Sequence, residues 1–397
     1  MLRRCWTLQR QRPFLSSPLF RNHSSATARR KALPKLASSY TLPPPSEWTQ
    51  YFGHRQRGVR NAISCPVAAK AIAEAIAPEG TKGLVVIEAF PGPGVLSRAL
   101  LELPKERISK LVVLEDDPFL QALLPLKQAH PGRVHVIPKS GHYWDAYDSI
   151  GAETKIANHP WEEVHPSLRF VSHVIPSEVG EQYLSQWLRF IPDHGWIFKH
   201  GRVPMHLIVP GSAWKRFNAP VGDPNRSKIT ILVEALVEHS LLVPSSVTDP
   251  YSEVFWPPKR DIEFQSESGS RRNKSLKLLG YPQEVITVIP KGGEPIIKPD
   301  RMDHWDYVLR RLFAVRATPL LQSLKHLGAG AESLGDAIWG DNIPAEIRAS
   351  RDTTGQNLTI EQWSRLIDAF FEWPFAPKNL GTLGTETTHS RRAKNRR

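Results

Sequence analysis

Apolar residues along this chain fall into two regimes. From residue 84 to about 264, short apolar runs alternate with stretches of 3.6-residue periodicity; beyond 303 only the helical period remains. The runs at 84–89 (LVVIEA), 110–115, 133–137, 167–175 and 203–209 read as buried strands, because they are short, rich in β-branched residues and bounded by Gly, Pro or polar positions. Helical faces lie between them. Val67, Ala71, Ile72, Ala75 and Ile76 form one ahead of Pro78 and Gly80, Leu96, Ala99, Leu100 and Leu103 a second, and Leu184, Trp187, Leu188 and Ile191 a third. Segments 229–236 and 254–264 close this part. Strands alternating with helices predict a mostly parallel sheet covered on both faces.

The C-terminal part reads differently. Trp305, Val308, Leu309 and Leu312 make one helical stripe, and Thr318-Pro319 looks like a cap with Pro at the first helical position, leading Leu320, Leu321, Leu324 and Leu327. Thr359 with Gln362 fits a capping box ahead of Trp363, Leu366, Ile367 and Phe370. The polar stretch 266–280 reads as a flexible insertion. The expected layout is therefore a sheet domain at 47–298, a helical domain at 299–378 and a basic tail at 379–397.

Composition changes this picture only at the ends. The formal net charge is +13, but residues 1–46 carry nine Lys/Arg and no acid, and residues 391–397 carry five more. With those set aside, 38 basic residues face 39 acidic ones, so the body is neutral and bulk charge says nothing about its surface. Residues 1–40, Arg- and Ser-rich with interleaved Leu, Phe and Trp, have the composition of a mitochondrial transit peptide; a basic arm without structure is the competing reading. LPPPS at 42–46 then reads as a stiff linker. Two cysteines argue against a disulfide framework or a Cys-rich metal site. No apolar run approaches the roughly 18 residues of a membrane span.

Candidate chemistry centres on residues 84–103, LVVIEAFPGPGVLSRALLEL. A strand, a Gly-rich turn and a helix form the opening unit of a nucleotide-binding sheet, where backbone N–H groups and the helix N-terminus meet a ligand. Glu115 ends the next strand, 21 residues after Gly94, at the spacing of an acid that accepts from ribose hydroxyls. Fifteen histidines show no metal-binding spacing, and neither a Walker sequence nor a Gly-x-Ser-x-Gly elbow is present. Lys215, Arg216, Arg226 and Lys228 flank the fifth strand; they read either as phosphate contacts or as a solvated charged face.

The order of these motifs resembles the rRNA adenine dimethyltransferases and their relatives, the mitochondrial transcription factor B family. VIEAFPGPGVLSRALLEL is similar to motif I of class I S-adenosylmethionine-dependent methyltransferases, RNAISCPVAAKAIAEAI to the family's N-terminal motif, LEDDPFLQALL to motif II, and FWPPKRDIEF to the Phe-x-Pro-Pro strand. GWIFKHGRVPMHLIVPGSAWKRF, followed by NRSKITILVEALVEHSLL, is most similar to the fungal mitochondrial branch. The resemblance implies a Rossmann-like methyltransferase sheet with a small C-terminal helical domain. It also implies S-adenosylmethionine as cofactor, with Glu88 and Gly92 at the methionine end and Glu115 on the ribose.

Departures from the family pattern cluster in the same region. Phe90 stands where the methylating enzymes usually carry Gly, and Lys139-Ser140-Gly141-His142 supplies no acid for the adenine amine. N6-adenine methylation needs Asn-x-Pro-Phe/Tyr after the fourth strand, where the Asn and a backbone carbonyl polarise the flipped-out amine and the aromatic stacks on the base. Ser172-His173-Val174-Ile175-Pro176-Ser177 stands there instead. Asn158-His159-Pro160-Trp161 fits the letters but precedes that strand, so it is expected at the sheet's other end. The resemblance thus implies, first, a non-catalytic mitochondrial transcription initiation factor that partners a single-subunit mitochondrial RNA polymerase in the matrix, helps melt promoter DNA and holds the unpaired strand. The alternatives are an active rRNA adenine N6-dimethyltransferase and a structural rRNA-binding protein.

Overall fold

The computed structural model describes residues 33–36, 38–53, 60–154, 156–258 and 282–380. Most of the expected leader, the insertion at 266–280, the end of FWPPKRDIEF and the basic residues at 391–397 lie outside the described residues. Seven strands form the main sheet: β1 (Leu84–Ala89), β2 (Ile108–Leu114), β3 (Val134–Ile137), β4 (Leu168–His173), β5 (Met205–Pro210), β6 (Val237–Leu241) and β7 (Gln283–Pro290). Their spatial order is β3-β2-β1-β4-β5-β7-β6. The run from β3 to β5 is parallel, and β7 is antiparallel to both its neighbours.

Strand alternation decides which side chains go to which face. Leu84 and Val86 join Leu111, Val113, Val171 and Ile208 beneath α1 (Pro66–Ile76), α2 (Val95–Glu102) and α3 (Leu120–Ala129). Ile87 and Ala89 join Val112, Leu114, Phe170 and Leu207 beneath α4 (Asp145–Thr154), α5 (Glu178–Arg189) and α7 (Lys228–Leu236). The crossover β1-α2-β2 covers one face and β3-α4-β4 the other. The strand order therefore reverses between β1 and β4, and the carboxyl ends of these two strands frame the crevice where such sheets bind ligands.

After β5 the chain forms α6 (Gly211–Phe217). The C-terminal helices, notably α8 (Met302–Ala314) and α9 (Ile360–Glu372), pack on the second face. Trp305, Leu309, Trp363 and Phe370 are buried in the same cluster as Phe170 and Leu207, so the helical part shares its core with the sheet. The capping box is formed: the Gln362 N–H donates to Thr359 Oγ1 at 3.2 Å, and the Thr359 N–H donates to Gln362 Oε1 at 3.0 Å.

Four details differ from expectation. Val67 is 78% exposed; α1 buries Ala68, Ala69, Ile72, Ala73 and Ile76, a face rotated by one position. Pro319 is itself the N-cap of the helix Leu320–Ser323, so the cap falls one residue later than expected, and Leu321 points outward. β7 carries no sequence expectation of its own, since the α/β part was expected to close at 264. Of the expected strand at 254–264, the described Phe255–Trp256 pair with Ala62–Ile63 as a two-residue ribbon apart from the main sheet.

Candidate functional site

The crevice is built around the turn that follows β1. Gly94 is the N-cap of α2 at φ 83°, and a Cβ there would come within 2.4 Å of Leu123 Cδ2, so the position requires glycine. Gly92 turns its N–H onto Glu115 Oε2 at 3.0 Å. Two of the three residues expected to hold a cofactor are thus brought together directly. Phe90 adopts φ 62°, a left-handed conformation that bulky residues rarely take, and its side chain is buried.

Glu115 is fully buried and already saturated. The Arg60 guanidinium forks onto it, with Nη1–Oε1 and Nη2–Oε2 both 2.7 Å, while the N–H groups of Gly92 and Asp116 donate at 3.0 and 3.1 Å. A carboxylate offers about four acceptor positions, and all are used. Arg60 also lies over the rings of Phe90 and Phe119, at 5.3 and 5.0 Å. Beyond Phe90, the His142 ring sits 4.4 Å from Phe90 and 4.4 Å from Tyr183. Burial first, and the Arg60 charge second, push the His142 pKa down to about 3, so it stacks as a neutral ring. S-adenosylmethionine does not fit this arrangement, since a ribose would need the oxygens that Arg60 holds. Polar capacity remains at Asn61, whose buried amide has no partner among the described residues.

Glu88, the third expected cofactor residue, points to the opposite face of β1. It accepts from Ser97 Oγ of α2 at 2.6 Å, and burial drives its pKa up to about 7 against the lowering effect of that bond. With Ile63, Leu96, Val171, His173 and Ile208 it lines a void of about 10 Å³, at the lower limit for one water. His173, at the carboxyl end of β4, lies on this face too. It is buried edge-on to Phe255 at 5.6 Å, its Nε2 lacks a partner among the described residues, and burial drives its pKa down to about 3. It therefore stands on the other side of the sheet from Phe90 and His142. The Asn158-His159-Pro160-Trp161 segment packs against the chain entering β5: Asn158 Oδ1 meets His200 Nδ1 at 2.9 Å and Trp161 stacks on His194 at 3.8 Å. That is the amino end of the sheet, away from any reacting base, as its position before β4 implied.

The four expected phosphate contacts separate. Lys215, on α6, is exposed. Arg216 is ion-paired with Glu181 of α5, and Lys228 with Asp306 of α8. Arg226 is corrected outright: with no exposed surface it cannot reach a phosphate. It forks onto Glu234 at 2.9 and 2.6 Å and donates to the Ala219 and Leu358 carbonyls at 3.1 and 3.2 Å. It fastens the loop after α6 to the helical part. Among the described residues no group of His, Cys, Asp or Glu could hold a metal ion, and no helix is long and apolar enough to cross a membrane.

Arg60 is the residue that motif reasoning passed over. It lies within the quoted N-terminal motif, but its partner is 55 positions away and no periodicity connects them.

Residues 63–365 match the model of the ribosomal RNA adenine dimethylase family. The chain is 25% identical over 307 residues to mitochondrial transcription factor 1 of Saccharomyces paradoxus, covering 75% of this chain and 82% of that one. It is 26% identical over 171 residues to the mitochondrial dimethyladenosine transferase 1 of Bos taurus, covering 43% and 48%. Among solved structures, a dimethyladenosine transferase from Plasmodium falciparum aligns with a TM-score of 0.46 and 16% identity over 78% of this chain and 98% of that one. With a family match across most of its length and a sheet of the order described above, the chain belongs to the ribosomal RNA adenine dimethylase family.

Proposed function

We propose that this chain is a mitochondrial transcription initiation factor that uses its methyltransferase-type fold to bind, and catalyses no methyl transfer. It acts in the mitochondrial matrix with a single-subunit RNA polymerase, at promoter DNA whose melted strand it helps hold. The observation that carries the reading is the end of β4. Adenine N6 methylation needs a carboxamide and an aromatic at that edge, and Ser172-His173-Val174-Ile175-Pro176-Ser177 offers neither. The imidazole nearest the position is buried on the far face. Similarity to mitochondrial transcription factor 1 over three quarters of the chain supports the reading; mitochondrial dimethyladenosine transferases match a similar share, so the end of β4 makes the choice.

Strand holding requires cations on phosphates and rings against unstacked bases. The carboxyl edge offers the exposed Lys215, and Tyr143, 52% exposed in the loop after β3. Run-off transcription with the cognate polymerase tests the reading. Full-length protein should stimulate initiation on duplex promoter and do much less on a pre-melted bubble; no stimulation on duplex overturns it. Labelled methyl transfer to small-subunit rRNA should stay at background, and robust dimethyladenosine would establish the enzyme instead.

A further inference from the structure

Non-catalytic and cofactor-free are separate properties, since glycines and an acid could still cradle S-adenosylmethionine in a protein that transfers nothing. We propose that Arg60 is a built-in occupant of the cofactor crevice: its guanidinium takes the place on Glu115 that a ribose diol would take, and the Phe90–His142–Tyr183 stack fills the space beyond. The chain therefore excludes S-adenosylmethionine and uses the crevice as an internal clasp.

Three observations carry this. The first is saturation. Glu115 receives two charge-assisted bonds at 2.7 Å from Arg60 and two backbone bonds from Gly92 and Asp116. A diol would exchange the strongest pair for neutral hydrogen bonds. The second is the fate of the displaced group. The Arg60 side chain is 8% exposed against a carboxylate that is 0% exposed, and it lies between two aromatic rings. Removing its partner leaves a cation with little water to solvate it, so binding by displacement is weakened about a thousandfold or more. The third is volume. A Cβ on Gly141 would come within 2.9 Å of Ala89 Cβ and 3.1 Å of Phe90 Cζ, so the loop after β3 is pressed against β1 with no room between.

The arrangement also explains why a Phe stands in the turn. Its ring closes the box around Arg60 on one side while Phe119, within motif II, closes the other. Arg60 thereby ties residues 60–65, which lead into α1, to the end of β2. A structural cation does here what a bound ligand's ribose would do, bridging the crevice, and it needs no ligand.

Isothermal titration of the full-length chain with S-adenosylhomocysteine is the primary test. No saturable binding tighter than about 1 mM is expected; a micromolar Kd overturns the proposal. Thermal melting supplies the second arm. Arg60→Ala should melt well below wild type and be raised by added methylguanidinium, which refills the vacated position; melting unchanged from wild type would mean that the clasp is not made in solution and would also overturn it. Should Arg60→Ala fail to fold, the paired Arg60→Gln, Glu115→Gln variant removes both charges but keeps hydrogen-bonding groups. It should fold and melt closer to wild type than Glu115→Gln alone does, whereas equal losses would deny the pairing. The outcome is independent of the transcription reading: micromolar cofactor binding beside intact promoter stimulation sinks only the inference drawn here.

Discussion

Glu88 has one hydrogen-bond partner, Ser97, and is buried, with the Arg98 charge the smallest of the influences on it. Burial dominates, and its pKa rises to about 7. Because the folded value lies above the ordinary carboxylate value, the folded protein holds a proton that the unfolded chain releases between about pH 4.5 and 7. Stability from this group is present at the acid end of that window and is lost as pH rises through it. Glu88→Gln keeps the shape and removes the titration. Urea melts should show the variant more stable than wild type at pH 8, by up to about 3 kcal/mol, with the advantage shrinking toward pH 5; equal stabilities at pH 8 would mean that the carboxylate is solvated. The sequence made Glu88, Gly92 and Glu115 visible because strand, turn and acid occur at fixed offsets. It could not say that Glu88 faces α2 while Glu115 faces the crevice, nor that Arg60 answers Glu115, since those facts arise when distant segments pack.

At the scale of elements, legibility followed the strength of the local period. β1 was readable to the residue because six consecutive strand positions, five of them buried, run between a Gly and a Pro. The capping box of α9 was readable because both of its partners lie within one turn. Val67 was misplaced because α1 is nearly all apolar or small, Ala-rich on every side, so periodicity alone does not fix which stripe faces in. β7 went unread because it pairs antiparallel between β5 and β6, with its contacts far away in sequence. Arg226 shows the same limit in charge: a basic residue beside a loop looks like a phosphate contact until packing buries it. Its fork onto Glu234 and its bond to the Leu358 carbonyl join α7 to the segment entering α9. Arg226→Ala leaves Glu234, one third exposed, to water, but strips the Ala219 and Leu358 carbonyls of a buried donor. A loss of about 3 kcal/mol is expected in urea melts, with hydrogen exchange accelerated first in α9. If exchange rose uniformly instead, the clasp would not be what holds the helical part.

Over the whole molecule, charge is segregated and titration is hidden. The excess of cations sits in the two terminal segments, while in the described body burial drives the pKa values of His142, His173 and His206 to about 3. Each sits at or near the carboxyl edge or on β5, where apolar neighbours and Arg60 or Arg169 oppose a further cation. Their sign is opposite to that of Glu88. The folded pKa lies below the ordinary value of about 6.5, so the unfolded chain takes up protons that the folded protein refuses, and stability is lost as pH falls below about 6.5. These three histidines against Glu88 contribute a net uptake of about two protons on unfolding between pH 5 and 6, or about 3 kcal/mol per pH unit, and His130, His165, His200, His239 and His304, whose pKa values burial also lowers, act in the same direction. Melting temperature should therefore hold near pH 7 to 8 and fall steeply from pH 6 to 5, well before ordinary carboxylates titrate. His206 bonds Thr287 Oγ1 through Nδ1 at 3.1 Å while its Nε2 lacks a partner among the described residues, so His206→Asn should keep one polar contact and shed one proton from the slope. A profile flat to pH 5 would show that these rings reach water and that the edge of the sheet is looser than its packing implies. A steep one would mark the carboxyl edge as a dry, ligand-independent core, which is what the filling of the crevice by Arg60, Phe90 and His142 requires.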